Sequence, residues 1–497
     1  MVRKEKINEI KRKSYSFQQF SFGEPGNVNA DDFGKIVKLR NAKVYNGEVS
    51  QAFSLIDGAL LRVDGTTRVL PKLSVGIYPI NAAILKITGE SATDLLVVQG
   101  SNYKIYYTYL TGTDTSFTES SLTLNGKAEF LNCYLSSVPE SAMLIFDPLG
   151  GLFIMHPNGT LSTYQSGPLI KSPVYHYLRV WGTDGHNKVF FSNDDDPTNF
   201  SSESTGGGTV LLPDEYGRIL KLVSYKDALY LFKEKAIFRL TAYADPGAFT
   251  ISKVLVTDGA VSGGSVAEGN GKIYYAAGKR IFEFDGFTAT PVFAAVEHTV
   301  ENYAGSQGIV FNGSYYLSAT VNDDTEYENA LIRLYLDGNG IEYFNAFKVG
   351  SFLTVSYPQG QYLLVLGAVS AQQRALQTVV FTQDMTMYDN DYVPSLAVTA
   401  DTNLGSPDKK KALKRLYASV ESDTAITVRM DSAPYAQTLS AVKIVEDRAA
   451  QLTHFDCDAC GTLFRLTFTG LAARQFYIKA LTFEATENRE LRIRTIQ

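Results

Sequence analysis

The sequence predicts an all-β protein: a β-propeller with an additional C-terminal β-sandwich domain and an N-terminal arm. Three observations lead there. Short runs of Val, Ile, Leu, Tyr and Phe are separated by turn signals roughly every 8 to 12 residues, the pattern of antiparallel sheets. The 497 residues include 30 Tyr, 29 Phe and 40 Gly, a mixture suited to pleated, half-buried surfaces joined by tight turns. The runs also recur with a period long enough for a four-stranded module.

Residues 1–30 read as the arm. Arg3, Lys4, Lys6, Lys11, Arg12 and Lys13 are interrupted by Glu5 and Glu9, and they lack the apolar core of a signal peptide. Tyr15, Phe17, Phe20 and Phe22 follow, then Gly23, Pro25 and Gly26, so the arm is expected to pack its aromatics on another part of the structure.

Residues 31–400 read as a propeller with inserted loops. Hairpins are expected from Lys272–Ala276 into Arg280–Asp285, and from Tyr315–Val321 into Leu331–Leu336. Asn158-Gly159, Asp285-Gly286, Asn312-Gly313 and Asp337-Gly338 tolerate the positive φ that hairpin turns require. Module starts align at Leu95, Met143, Arg179, Leu229, Ile273, Tyr315 and Tyr362, about 40 to 50 residues apart. Radial repetition protects sheet edges that otherwise invite aggregation, which favours a propeller. The blade count stays open, and a stacked array of sandwiches is the alternative.

Near residue 400 the period lapses into Asp401-Thr-Asn-Leu-Gly-Ser-Pro-Asp408, read as a linker, followed by Lys409, Lys410, Lys411, Lys414 and Arg415. Strands expected at Leu416–Val420, Ala425–Met430, Leu463–Phe468 and Phe476–Phe483 make residues 401–497 a β-sandwich.

The net charge of −6 provides no broad positive field to gather nucleic acid. No stretch approaches the roughly 20 apolar residues of a membrane-spanning helix, so membrane insertion is not expected. Cys133, Cys457 and Cys460 are too few to staple this chain, which suits folding in a reducing cytoplasm.

His454, Cys457 and Cys460 have ligand spacing, yet tetrahedral zinc takes four ligands and no second Cys pair exists. A hairpin turning near Asp458-Ala459, with a free or disulfide-bonded thiol pair, is the simpler reading. Asp194, Asp195 and Asp196 could collect Ca²⁺, but the spacing of a calcium loop is absent and adjacent turn carboxylates are usually solvated. Ser192-Asn193-Asp194 begins like a sialidase-type turn, without the Gly and Trp that should follow. No pair among the 52 acidic residues stands out as glycosidase carboxylates. His156, His176, His186, His298 and His454 form no His-Glu-x-x-His or nucleophile-elbow motif. Gly206-Gly207-Gly208 and the stretch from Gly263-Gly264 to Gly271-Lys272 lack phosphate-loop spacing. The sequons at Asn158, Asn199 and Asn312 coincide with turns. Trp181, the single tryptophan, is either a sugar-stacking platform or the plug of a hairpin, with Arg179 stacked on it; the plug is favoured. No catalytic, cofactor-binding or metal-binding residue is assigned, and the chain is read as not an enzyme.

The run Leu178-Arg-Val-Trp-Gly-Thr-Asp-Gly-His-Asn-Lys-Val-Phe-Phe-Ser-Asn193, ending in Asp196-Pro-Thr-Asn-Phe200, resembles a segment of bacteriophage tail nozzle and tail-stabilisation proteins, the tail hub of short-tailed phages. Leu229–Arg239, the stretch from Asn41 through Gly58 to Leu61-Arg-Val-Asp-Gly65, Lys411–Tyr417 and Phe464-Arg-Leu-Thr-Phe-Thr-Gly470 are similar in the same order. The resemblance implies a homo-oligomeric ring, commonly six-fold, in the virion tail and assembled in the host cytoplasm. The ring would continue the DNA channel below portal and adaptor and dock fibre or needle proteins, while genomic DNA passes without being read. The His-Asn in the Gly-rich turn and the triple Asp depart from the pattern, leaving that loop's partner open. The alternatives are a carbohydrate-binding or carbohydrate-active propeller acting in host recognition, and a bacterial protein-binding scaffold.

Overall fold

The computed structural model describes residues 12–488 apart from 25–33, 58–59, 64–65, 88–92, 111–114, 136–139, 165–166, 195, 202–205, 244, 324–327, 346–347, 358–359, 371–372, 381–386, 389–390, 393, 406–408, 423–425, 434–438, 444–450 and 471–475. Among the described residues there are strands, turns and short 3-10 segments but no α-helix. The chain divides into two compact units, one of Ile56–Leu331 and Ala346–Val379, the other of Met1–Leu55, Ile332–Asn345 and Val380–Gln497.

In the first unit the seven apolar segments aligned by their period all fall on the second strand of successive sheets. These strands are Leu95–Gly100, Glu140–Phe146, Arg179–Thr183, Ala228–Lys233, Lys272–Ala277, Ser314–Val321 and Gly360–Ser370. A second strand is covered on both faces, so it reads as a continuous apolar run. Leu95–Gly100, Arg179–Thr183 and Ala228–Lys233 are buried at every position.

Each sheet begins one strand earlier than the period suggests, because its first strand is partly exposed and mixed in character. Glu129–Leu135, for instance, exposes Asn132 and Tyr134. The seven first strands are Pro79–Leu85, Glu129–Leu135, Lys171–His176, Ile219–Tyr225, Ala267–Gly269, Gly308–Phe311 and Lys348–Tyr357. Each contacts the next, and Lys348–Tyr357 contacts Pro79–Leu85, so the series returns to its start. This is the arrangement of a β-propeller, with seven modules among the described residues, of which five are four-stranded sheets by themselves and the sixth and seventh belong to larger sheets. In the seventh, Gln373–Val380 is followed laterally by Ser54–Asp57, so a segment preceding the first sheet in sequence extends the last.

The period-two alternation of side chains builds a core in each gap between sheets. Leu96 and Val98 join Leu353, Val355, Leu364 and Leu366 between the seventh and first sheets. Their neighbours Leu95 and Val97 meet Met143 and Ile145 of the second sheet. Ala142 and Leu144 then meet Val180 of the third, whereas Trp181 turns to Leu229 and Leu231 of the fourth.

The second unit is a β-sandwich. One sheet orders Gly340–Asn345, Ala42–Tyr45, Glu48–Gln51, Phe476–Asn488, Lys410–Ser422 and Gln451–Gly461; the other orders Ser21–Phe22, Lys35–Arg40, Ser395–Thr399, Leu463–Gly470, Ile426–Ala433 and Leu439–Lys443. The expected boundaries near residues 30 and 400 therefore differ from the observed division, because strands from both ends of the chain pair with one another. Arg12–Phe17 runs antiparallel to Phe476–Asn488, and Phe17 meets the edge of Phe483 with ring centroids 6.4 Å apart. The start of the stretch read as a linker is packed into this unit, residues 406–408 lying outside the described ones: Asp401 accepts two hydrogen bonds from Arg465, at 2.9 and 2.7 Å, and Thr402 bridges to Phe464. Lys411 is fully buried with its ammonium on the Asn403 carbonyl at 2.6 Å.

Candidate functional site

The segment from Leu178 to Phe200 occupies the second and third strands of the third sheet and the turn after them. Arg179, only 4% exposed, donates from Nη1 to the carbonyls of Ser192 at 2.7 Å and Gly206 at 2.6 Å, and its Nη2 lies 3.5 Å from Asp194. The Ser192 hydroxyl accepts from Val180 N and donates to Asn193 O, closing the start of the turn. Asp196 Oδ1 accepts from both the backbone N–H and the hydroxyl of Thr198, at 2.9 and 2.6 Å. An Asp two residues before a Thr in this way mimics a backbone turn, and the intervening proline holds φ. Asn193 N, donating to Asn199 O at 2.8 Å, seals the loop.

The triple Asp is thus divided in use: Asp194 faces Arg179, Asp196 builds the turn, and Asp195 lies outside the described residues. No group of three or more potential metal ligands occurs among the described residues.

Trp181 is fully buried, packs on Phe191 and Phe249 with centroids 5.3 and 5.5 Å away, and donates its indole N–H to His176 O at 2.8 Å. It is the plug and offers no face to a sugar. The expectation that Arg179 stacks on Trp181 is not met: two residues apart on one strand, they share a face, but Phe191 packs on both, with the guanidinium 5.7 Å and the indole centroid 5.3 Å from its ring centre.

The hairpin proposed at Asp458-Ala459 is likewise corrected. Residues Gln451–Gly461 form one continuous strand paired with Lys410–Ser422, since its Phe455, Cys457 and Ala459 complete an apolar face. His454 is exposed on the other side, so the three spaced residues do not converge. All cysteines are free thiols. Burial pushes the Cys457 thiol up to about 11 and the Cys133 thiol up to about 12.

The remaining histidines are scattered. His156 contacts Glu140 through Nδ1 at 2.5 Å and the Ser162 hydroxyl through Nε2 at 2.9 Å, an order of groups that the sequence concealed because the three are brought together only by strand pairing. Ser162 is exposed on the outermost strand of the second sheet, and the trio clamps the hairpin around Asn158-Gly159. His176 Nδ1 lies 2.7 Å from the Ser224 hydroxyl; the His186 amide donates to Asp184, and His298 O accepts from Asn322. The sequon asparagines serve turns: Asn158 accepts from Thr160, Asn199 accepts from Ser201, and Asn312 is left-handed at φ 44°. The glycine-rich segments allow close approach, as at Gly264, where a Cβ would fall 2.1 Å from the Ser306 carbonyl.

No protein-family model and no curated protein sequence matches this chain. Among solved structures it is similar to Raptor of Chaetomium thermophilum, at 10% identity and a TM-score of 0.42 over 62% of this chain and 29% of that one. It is also similar to BBS1N in complex with ARL6DN, at 8% identity and 0.42 over 67% and 98% of the two chains. The Pan2 WD40 domain of Neurospora crassa follows, at 11% and 0.37 over 60% and 88%. The chain spans less than a third of the length of Raptor. None of these likenesses bears on function, and the propeller rests on the sheet order described above.

Proposed function

We propose that the chain is a structural, non-catalytic component of a bacteriophage tail. Copies form a homo-oligomeric ring, six-fold by resemblance, in the nozzle or hub below portal and adaptor. The ring extends the DNA channel and docks other tail proteins or fibres, and genomic DNA passes without sequence-specific contact. The protein resides in the virion tail after assembly in the bacterial cytoplasm.

The observation that supports this reading is the state of the segment carrying the resemblance, Leu178–Phe200. Its Arg179, Trp181, Ser192 and Asp196 are all committed to locking one hairpin and turn, as befits a signature of scaffold rather than of chemistry. Rigid sheets with exposed connections suit a part that mates with neighbours at its loops. The test is electron microscopy of the purified protein incubated with portal–adaptor complexes of the source phage. A ring added coaxially to the portal–adaptor is expected; absence of any ring on complexes that accept the other tail proteins overturns the reading.

A further inference from the structure

One rim of the third, fourth and fifth sheets gathers aromatic rings around a charged pair. Tyr177 and Tyr243 stack edge to face with centroids 5.0 Å apart, and both donate their hydroxyls to the Asp227 carbonyl. Tyr243 also reaches Asp227 Oδ2 at 3.4 Å. On the other side of that carboxylate, Arg239 Nη2 lies 3.5 Å from Asp227 Oδ1, and the guanidinium sits 6.0 Å from the centre of the Phe287 ring. The order is Phe287, Arg239, Asp227, Tyr243, Tyr177.

The rings are held in place. Phe287 is 66% exposed at a turn in which Asp285 Oδ1 accepts from Phe287 N and Thr288 N, both at 2.8 Å, and the Gly286 carbonyl accepts from Tyr230. Tyr177 and Leu178 both adopt left-handed backbone, at φ 51° and 60°, which costs on the order of 1 kcal/mol or more for each such side chain. Tyr243 is 56% exposed.

The charged pair, by contrast, is underused. Both of its contacts lie at or near the limit of a hydrogen bond, and the Asp227 side chain is 67% exposed and that of Arg239 27%. Protein interfaces place apolar residues at the centre and charges at the rim. This rim has the reverse plan, with rigid ring edges and faces flanking unspent donors and acceptors.

We propose that this rim binds a neutral hexose unit of a surface glycan. A pyranose is amphipathic in the same sense: its C–H face lies on Phe287 or Tyr243, and adjacent hydroxyls donate to Asp227 and accept from Arg239. The guanidinium and the carboxylate cancel in charge, so an uncharged sugar is favoured over a uronic acid. The site is independent of ring formation and stands or falls without it.

Saturation-transfer NMR with maltotriose, mannotriose and lactose, each against tetragalacturonate, tests it on the full-length protein. Saturation of ring C–H protons of a neutral sugar is expected, with weak affinity in the millimolar range. Phe287→Ala and Tyr243→Ala are expected to reduce binding at least tenfold, and Asp227→Asn several-fold. Because Phe287 is at an exposed turn, its variant should keep the wild-type emission of the buried Trp181, which verifies folding. No transfer to any neutral sugar, a preference for tetragalacturonate, or undiminished binding by folded Phe287→Ala would overturn the assignment.

Discussion

Replacing Arg179 by alanine should loosen the third sheet more than any other single polar change in it. The guanidinium supplies two charge-assisted hydrogen bonds to the carbonyls of Ser192 and Gly206, at 2.7 and 2.6 Å. Bonds to a charged donor are worth about 1.5 to 3 kcal/mol each, and an orphaned buried carbonyl costs a similar amount. The Gly206 carbonyl is only partly buried and regains water, so the expected loss is toward the lower end, about 3 to 4 kcal/mol. Arg179→Lys retains the charge but lacks the planar fork, and should recover about half of that. Trp181 makes the assay local: it is the single tryptophan, it is fully buried, and its emission shifts to the red when this sheet opens. Urea titrations followed by that emission report the opening of this part of the propeller, which in a chain of this size need not coincide with global unfolding. A loss below about 1 kcal/mol for Arg179→Ala, or a lysine variant as stable as wild type, would refute the view that this side chain locks the turn.

Four further outcomes follow from the same geometry. Gly308→Ala places a Cβ 2.3 Å from the Ser265 carbonyl between the fifth and sixth sheets, so calorimetry should show a loss of about 1 to 3 kcal/mol; an unchanged melting temperature contradicts that packing. Because Asp194 and Asp196 are engaged with Arg179 and Thr198, millimolar calcium or a chelator should leave the melting temperature unaltered, and a calcium-dependent rise would revive the triple Asp as a site. Glu487 is held down to about 2, first by the hydrogen bond from Lys13 and then by those from Tyr15 and Lys409, against its own partial burial. Its folded-state pKa lies below the ordinary 4.5, so the stability it adds is present above that value and fades as pH falls toward about 2. Protection factors along Arg12–Phe17, taken against the intrinsic exchange rate at each pH, should therefore fall in acid and with Glu487→Gln; equal protection in wild type and variant speaks against the contact. Finally, with their thiols pushed up by burial to about 12 and about 11, Cys133 and Cys457 should resist a thiol reagent at neutral pH until urea is added, and immediate labelling of Cys457 contradicts its inward orientation.

How much of this was legible in the sequence follows from what each signal measures. The apolar runs that mark the repeat are strands covered on both faces, and all seven starts from Leu95 to Tyr362 fall on such strands. The partly exposed first strands carry no such run, so each sheet was read one strand short. In the candidate segment, the plug role of Trp181 was legible because a large ring at the base of a hairpin has few other uses. The partners of Arg179 were not, since Ser192 and Gly206 reach it only after the chain has turned twice. The grouping of His156, Glu140 and Ser162, and of Phe287, Arg239, Asp227 and Tyr243, joins residues from different strands or sheets, and no spacing rule in one dimension encodes it.

Alternating and continuous apolar patterns, together with Asn-Gly and Asp-Gly turns, determine locally that this chain forms antiparallel strands in repeated modules, their number left open, followed by more strands. Pairing between residues hundreds of positions apart was decided only in three dimensions. Arg12–Phe17 lies against Phe476–Asn488, and Ser54–Asp57 extends the sheet of Gln373–Val380, because an unpaired sheet edge accepts whichever strand satisfies its backbone hydrogen bonds, irrespective of distance along the chain.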